Sequence, residues 1–440
     1  MKLITWNVNG VRSLPQDLST TLASLDADVV CLQETKITRQ ALSSDIATVD
    51  GYSAYFSYTR KSRGGYSGVV TYCRDGVAVP ELAEEGLTGF LSNSHSQTTV
   101  GCYGEPQFSP ERLKWLDEEG RAVITTHRIG TELLSIINVY CPRACQDDPE
   151  RWRFKMDFYQ LLLCRARSLI KNGHRLLIVG DLNVARSPID HCDPESESDF
   201  ECQPHRVWIN ERLLFDEEKN SEGPLIDLFR HFHPTEQKAF TCWNTKLSAR
   251  ETNYGTRIDY ILADRRLIES VNECSILPDI LGSDHCPVEA TFNCCFVSSP
   301  VLPGLCAKFM PEFRGTQRKL NDFVTAHKMV SPPKRRAEVI QRSLSDFVTI
   351  DSKEKKPNFY SQNPVSVANS PTTRPNAAWK NLFKGPPKAP LCKGHKEPCV
   401  LRTVRKAGVN QNRQFYVCAK PEGAKNDPKA RCDHFEWLKT

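Results

Sequence analysis

Asp181 and Asn183 stand two residues apart at the end of a short apolar run, Leu176-Leu177-Ile178-Val179, with Gly180 between run and carboxylate. A carboxylate can accept a proton or hold a metal ion, and an amide can donate to an oxyanion. In extended chain both side chains point the same way, so the pair would face one cleft. That pairing suits a hydrolase. Five more apolar runs end in similar groups: Asn7 and Asn9, Glu34, Asn138 and Tyr140, Asp259, and Asp284-His285. Any one alone reads most simply as a loop polar group, but six together are hard to explain as solvation. Oxygen ligands such as Glu34 suit Mg²⁺ (or Mn²⁺), which takes one or two carboxylates plus waters and a substrate phosphate. His285 could polarise a phosphoryl oxygen, or take a proton if Asp259 orients it.

A second chemistry lies at the other end of the chain. Cys392-x-x-His395 has zinc-ligand spacing, and Cys399, Cys418 and Cys432 follow it, so any four of these could close a tetrahedral site. So short a segment cannot easily build a core alone, and a metal staple is expected. Arg402, Arg405, Lys406, Arg413 and Lys420 lie beside Phe415, Tyr416 and Trp437. Basic groups with stacking rings suit single-stranded DNA. Between the two chemistries sits a repeat: Gln317-x-x-Leu320-x-x-Phe323 recurs as Gln341-x-x-Leu344-x-x-Phe347. In a helical turn Leu and Phe share a face, with Gln beside them, as an apolar plug would need. The first copy reads equally as an extension packed on the preceding domain; the second, set in linker, favours a docking motif.

The elements that must position these residues follow from pattern. At 440 residues the chain exceeds one typical domain. Strands are expected over 3–10, 28–32, 66–73, 122–126, 133–140, 176–179, 240–243, 257–262 and 288–292. Helices are expected over 18–25, 151–170 and 207–215, and 190–203 reads as loop. Strands outnumber helices, which suits a two-sheet sandwich with flanking helices over residues 1–298. Residues 299–388, rich in Pro, Ser, Lys and Asn, read as disordered linker, and 389–440 as a compact module. From residue 301 onward there are 27 Lys and Arg against 11 Asp and Glu; the first 300 residues carry 31 against 42. An acidic globular part with a basic tail fits a polyanionic partner and, on charge alone, equally a solvated basic linker. Nothing reads as a signal peptide or membrane span. The 18 cysteines read as reduced thiols except at the metal spacing. Lys334-Arg335-Arg336 has the composition of a nuclear import signal.

Six motifs together resemble the exonuclease III class of AP endonucleases: Trp6-Asn7-x-Asn9-Gly10, Leu32-Gln33-Glu34-Thr35-Lys36, Asn138-Val139-Tyr140-Cys141-Pro142, Gly180-Asp181-Leu182-Asn183, Arg257-Ile258-Asp259-Tyr260 and Gly282-Ser283-Asp284-His285-Cys286-Pro287. The wider endonuclease/exonuclease/phosphatase superfamily shares part of the set. The resemblance implies a four-layered α/β sandwich of deoxyribonuclease I type that hydrolyses DNA phosphodiesters with Mg²⁺. By position, Glu34 would hold the metal with Asn7, and Asp181 would activate the attacking water. Asn183 and His285 would stabilise the pentacovalent phosphate, Tyr140 would assist at the phosphate or leaving group, and Asp259 would orient His285. Asp284 would sit beside the metal, completing a metal-side group of Asn7, Glu34, Asp181, Asn183, Asp284 and His285. Two departures stand out. Asn9 occupies a position that is usually Asp, and the abasic-sugar pocket is altered at Thr241-Cys242-Trp243 and at Thr256. They imply 3′-end trimming, exonuclease and 3′-phosphodiesterase, with weaker incision at abasic sites.

The repeat resembles the sliding-clamp (PCNA) interaction box, so Gln341, Leu344 and Phe347 would bind the clamp. The C-terminal module resembles the GRF zinc finger. That resemblance assigns one structural Zn²⁺ to Cys392, His395, Cys418 and Cys432, leaves Cys399 as a packing thiol, and makes Arg405, Lys406, Arg413, Phe415 and Lys420 a DNA surface. Asn412 takes the place of the motif's first Gly and tolerates the same left-handed backbone. The combination implies a nuclear DNA-repair protein that feeds checkpoint signalling through exposed single strands. Two other readings compete: a related RNA deadenylase or phosphoinositide phosphatase, and a catalytically weak scaffold that binds clamp and single-stranded DNA.

Overall fold

Two pairs of parallel strands form the spine of the computed structural model, each built from a nearly continuous apolar run that is buried on both faces. Lys2–Asn7 runs beside Val29–Gln33, and Glu132–Tyr140 beside Arg175–Asp181. Antiparallel neighbours widen each pair into a sheet. The first sheet has six strands in the order Val271–Ile276, Val288–Phe292, Lys2–Asn7, Val29–Gln33, Val69–Arg74, Tyr52–Ser57. The second has the order Leu225–Asp227, Asp259–Asp264, Arg175–Asp181, Glu132–Tyr140, Ala122–Ile129, Phe296–Val297, and Leu82–Glu85 also pairs with Ala122–Ile129. The structure describes residues 1–61, 65–91, 108–144, 147–194, 197–216, 221–314, 389–406 and 408–438. Both clamp-box copies, with Gln341, Leu344 and Phe347, and Lys334-Arg335-Arg336 lie outside the described residues.

Side-chain alternation along the strands creates three apolar layers. Between the sheets, Leu3, Val29 and Val69 meet Val123, Ile136, Val179 and Ile261. On the outer face of the second sheet, Phe154, Phe158, Leu162 and Leu169 of the helix Pro149–Lys171 cover Ile137, Leu176 and Ile178. On the outer face of the first, Leu18, Leu22 and Leu25 of the helix Leu18–Leu25 cover Ile4, Trp6 and Val30. Helix, sheet, sheet and helix make the four-layered α/β sandwich that the sequence leads one to expect. Asp17 starts the shorter helix by accepting from Thr20 N, and Asp26, at φ 43°, ends it. The longer helix opens on the cap Asp148 and Pro149. Among the described residues no helix is long and apolar enough to cross a membrane.

Several elements differ from expectation. Tyr52–Ser57, Val271–Ile276, Leu225–Asp227 and Leu82–Glu85 are strands that carry no clean alternation of polarity. Only Cys242–Trp243 of the run 240–243 is strand, paired with Gly255–Thr256. The stretch 190–203 holds a short helix, Glu197–Glu201. Residues 299–314 pack on the first sheet: Ala307 and Phe313 join its outer cluster. Lys308 pairs with Asp75 at 2.7 Å and Arg39 with Glu312 at 2.6 Å.

Asp190, expected in loop, is buried in an ion network beside the second sheet. Arg257 donates to Asp190 at 2.8 and 2.9 Å and to Asp227 at 3.1 and 2.7 Å, while Arg230 reaches Asp190 at 2.6 Å. Burial opposes its ionisation, yet Arg257 and Arg230 hold the Asp190 carboxyl down to about 2. Removing one partner of such a cluster strands charge in the interior. Arg257→Met should therefore lower unfolding stability by roughly 3–5 kcal/mol in denaturant titrations. A loss below about 1 kcal/mol would mean that water or rearrangement replaces the guanidinium.

Candidate active site and C-terminal metal centre

Strand register brings the candidate residues to one end of the sandwich. Tyr140 pairs with Asp181 across the parallel ladder, and Asp181 with Asp259 across the antiparallel one. In the first sheet Asn7 pairs with Gln33, next to Glu34, and Thr5 with Val288, just beyond His285. Asn7 joins the two rows. Its Nδ2 donates to Glu34 Oε1 at 3.1 Å and to Asp181 Oδ2 at 3.0 Å, and its Oδ1 accepts from Asn9 N at 3.0 Å.

Asp181 and Asn183 do share one point, but through a turn rather than extended chain. Asn183 takes a left-handed φ of 52°, so its N–H donates to Asp181 Oδ1 at 2.8 Å and its amide to Cys141 O at 2.9 Å. Gly180 is required before it: at φ 130°, a Cβ would stand 2.0 Å from Val139 O. Asn9, Glu34 and Lys36 are left-handed too, at φ 50°, 50° and 54°. Left-handed backbone is uncommon outside glycine, and its clustering marks sites where geometry overrides local preference.

Each catalytic candidate has a support behind it. Arg121 donates to Tyr140 O at 3.0 Å, lies 4.5 Å from its ring, and is itself paired with Glu119 at 2.6 Å. Thr241 Oγ1 donates to Asp259 Oδ2 at 2.6 Å and accepts from Ile258 N at 3.0 Å. Asp259 Oδ2 in turn lies 2.8 Å from His285 Nδ1. Trp6 Nε1 fixes the His285 carbonyl at 3.1 Å, and Ser283 Oγ donates to Asn7 O at 2.7 Å. Lys155, buried in the long helix, donates to Asn183 O at 2.8 Å. Burial lowers the Lys155 ammonium to about 8. The sequence reading missed Thr241 and Lys155 as supports. A lysine set between Phe154, Phe158 and Tyr159 on an apolar helix face was the available signal.

Charge at the site is unbalanced toward the negative. Burial, with the Asp259 and Glu34 carboxylates nearby, pushes Asp181 up to about 7. Burial works against the charged form of His285, but Asp259 raises its pKa well above the usual imidazole range. Glu34 is held below the usual carboxylate range: burial opposes this, and bonds from Asn7, Tyr140 and Lys36 outweigh it. Asp259 Oδ1 is buried without a partner. Asp181, Asp259 and His285 offer ligand atoms within 4.8 Å of one another. Oxygen donors with surplus negative charge fit a hard divalent cation. Asp284 stands outside that trio, its carboxylate accepting from Ser283 Oγ at 3.2 Å. Asn138 is not at the site. It is buried between the sheets, accepting from Gln33 Nε2 at 2.8 Å and donating to Val70 O at 2.9 Å.

The C-terminal module is a three-stranded sheet of Val400–Thr403, Gln414–Val417 and Phe435–Trp437. Cys392, His395, Cys418 and Cys432 converge beside it with ligand atoms within 4.8 Å of one another. His395 Nδ1 is 3.7 Å from Cys392 Sγ and 3.4 Å from Cys418 Sγ, edge lengths suited to tetrahedral zinc. Burial disfavours a Cys392 thiolate, but N–H groups of Glu397 and His395 hold it down to about 6. Gly394 is fixed by the same cluster, since a Cβ there would stand 2.7 Å from Cys432 Cβ. Cys399 is buried apart from the four. Asn412 is left-handed at φ 68°, as its place in the motif requires. Phe415, Phe435 and Trp437 form one aromatic face with ring centroids 5.1 to 5.8 Å apart, and Arg413 lies 4.0 Å over Trp437. Arg405 and Lys406 are exposed, whereas Lys420 is tied to Glu397 at 3.3 Å. Tyr416, expected as a stacking ring, is buried on the other face, and Phe435 takes that place.

The Endonuclease/Exonuclease/phosphatase family model matches residues 4–285, and the GRF zinc finger model residues 390–440. A DNA-(apurinic or apyrimidinic site) endonuclease 2 from Xenopus laevis is 42% identical over 100% of this chain and 98% of its own. An exodeoxyribonuclease from Bacillus subtilis is 33% identical over 67% of this chain and 100% of its own. The crystal structure of the Xenopus laevis AP endonuclease 2 catalytic domain matches with a TM-score of 0.68 at 48% identity, covering 72% of this chain and 100% of that domain. Sandwich, cleft and finger agree with these likenesses: the chain is a DNA-repair nuclease of the AP endonuclease 2 group within the Endonuclease/Exonuclease/phosphatase family.

Proposed function

We propose that the enzyme hydrolyses DNA phosphodiesters with Mg²⁺ mainly at 3′ ends, as a 3′–5′ exonuclease and 3′-phosphodiesterase, and incises abasic sites more weakly. The observation that carries the reading is the row Tyr140, Asp181, Asp259, with His285 hydrogen-bonded to Asp259 at its end. Asp181 takes a proton from the attacking water, and Asn183 and His285 donate to the phosphoryl oxygens as negative charge builds there. Asp259, steadied by Thr241, keeps the His285 imidazolium aimed at the phosphate. Tyr140 O–H, which donates to Glu34, assists at the phosphate or the leaving oxygen. Glu34 with Asn7 would hold the metal ion, with Asp181 and Asp284 nearby, and when bound the ion supplies charge neutralisation.

The cleft rim supports the preference for 3′ ends. Cys242, bridged to His285, and Thr256 present small polar groups there. Trp243, the aromatic kept from the usual pocket, is buried with Phe240 and Cys286, and its Nε1 is 3.0 Å from Asn253 Oδ1. No large ring from this strand is left to stack on a sugar without a base. The finger's aromatic face, with Arg405, Lys406 and Arg413, binds single-stranded DNA, and Gln341, Leu344 and Phe347 tether the chain to the sliding clamp in the nucleus.

Purified protein should degrade recessed, mismatched or blocked 3′ ends faster than it nicks an abasic duplex; the reverse order would overturn the preference. Asp181→Asn should slow 3′-end release by about 10²–10⁴-fold. Because Asp181 acts ionised and sits near 7 without metal, the rate should fall as pH drops through neutrality. More Mg²⁺ should move that limb to lower pH, and a limb insensitive to Mg²⁺ would remove Asp181 as the base. Cys418→Ala should unfold the finger, read by Trp437 fluorescence, and abolish its single-strand binding, whereas Cys399→Ser should leave both. Leu344→Ala with Phe347→Ala should eliminate clamp pull-down, and retained capture would move the tether elsewhere.

A further inference from the structure

Lys36 occupies the face of Glu34 that a cation would need. Its ammonium lies 3.0 Å from Glu34 Oε2, donates to Asn9 Oδ1 and reaches Asn9 O at 3.5 Å. The other oxygen, Glu34 Oε1, is taken by Asn7 at 3.1 Å. The neutral groups Asn7 and Tyr140 and one cation, Lys36, therefore cover the carboxylate. The backbone enforces this convergence. Glu34 and Lys36 are both left-handed, and Thr35 N and Lys36 N are pinned to Gly68 O and Ser67 O at 3.0 and 2.9 Å. Residue 9 supplies an amide rather than a carboxylate, so Glu34 is the carboxylate that Lys36 ion-pairs with among the described residues. The Lys36 side chain stays one-third exposed.

We propose that Lys36 is a positioning residue that stands in for the divalent cation on Glu34 and gives up that place when metal and DNA arrive. A metal ion on Glu34 and an ammonium on the same carboxylate repel at a few ångströms, so the ammonium leaves. A DNA phosphate entering the cleft gives it a new charge-assisted partner. DNA thereby draws Lys36 off Glu34 and tightens metal binding, and by reciprocity metal tightens DNA binding. The proposal rests on Glu34 as the metal-holding carboxylate.

The test is Mn²⁺ binding to the full chain without DNA, read from the free-ion electron paramagnetic resonance signal rather than from turnover. Lys36→Met keeps the apolar stem and removes the charge; it should tighten Mn²⁺ about tenfold with an unchanged thermal melt. Glu34→Gln should weaken Mn²⁺ at least tenfold. Unchanged or weaker Mn²⁺ binding by Lys36→Met, with Glu34→Gln still defective, overturns the stand-in role alone. Wild-type affinity in Glu34→Gln overturns the underlying reading of Glu34. A Lys36→Met chain that does not fold would be replaced by Lys36→Gln, which must pass the same criterion.

Discussion

A single buried amide ties the two sheets together at the reacting end of the molecule. Glu34 follows a strand of the first sheet and Asp181 ends a strand of the second, and Asn7 Nδ2 donates to both. Burying an amide costs roughly 1–3 kcal/mol when its groups go unpaired, so the contact persists only because every atom of Asn7 is used. Aspartate at this position would add a carboxylate where Glu34 and Asp181 already face each other. Leucine would leave the buried Asp181 and the partly buried Glu34 each with one donor fewer. The inter-sheet pair Gln33–Asn138 repeats the same solution one layer deeper, with Gln33 also donating to Thr5 Oγ1 at 2.9 Å.

From that junction the electrostatics follow. Once both sheets bring carboxylates to one point, burial and mutual repulsion raise Asp181 toward neutrality, where a base is most useful. The surplus charge has the opposite effect on usefulness at His285. Asp259 favours the imidazolium, which makes it a lasting donor rather than a competing base. One environment thus pushes groups that lie within 4.8 Å of each other toward different protonation behaviour. Thr241 matters to both, because it fixes the carboxylate that sets the imidazolium's charge.

The strand ends were legible because an apolar run that stops at a polar pair is a local signal. Leu176 to Asp181 and Leu3 to Asn7 need only alternation and length to be read. What lay beyond reach was pairing between distant segments. Asn138 carries the same local signature as Asn7, yet it points into the inter-sheet core, a difference set by neighbours on the other sheet. Asp190 sits in a polar, loop-like stretch, and its burial depends on Arg257 and Arg230, 67 and 40 residues away. Tyr52–Ser57 is buried throughout despite Ser53 and Ser57, because Tyr55 packs between the sheets and Ala54 and Phe56 pack in the outer cluster. In the finger, spacing offered five candidate ligands and the resemblance to the GRF finger selected four, but the faces of Tyr416 and Phe435 were settled only by strand pairing.

The two candidate sets of metal ligands ask different things of the chain. The C-terminal four are soft donors that converge completely, so the cluster closes on itself and can serve as the module's core. The cleft offers hard donors from several strands, a carboxylate oxygen left without a partner, and a lysine that holds one carboxylate from the side. A closed site stabilises a fold, whereas a site that is short of positive charge stores affinity for a cation and for the phosphate that accompanies it. Three apolar layers hold the sandwich together away from its charged end. It can therefore keep its charged end unbalanced, and on the mechanism proposed above substrate and ion relieve that imbalance together.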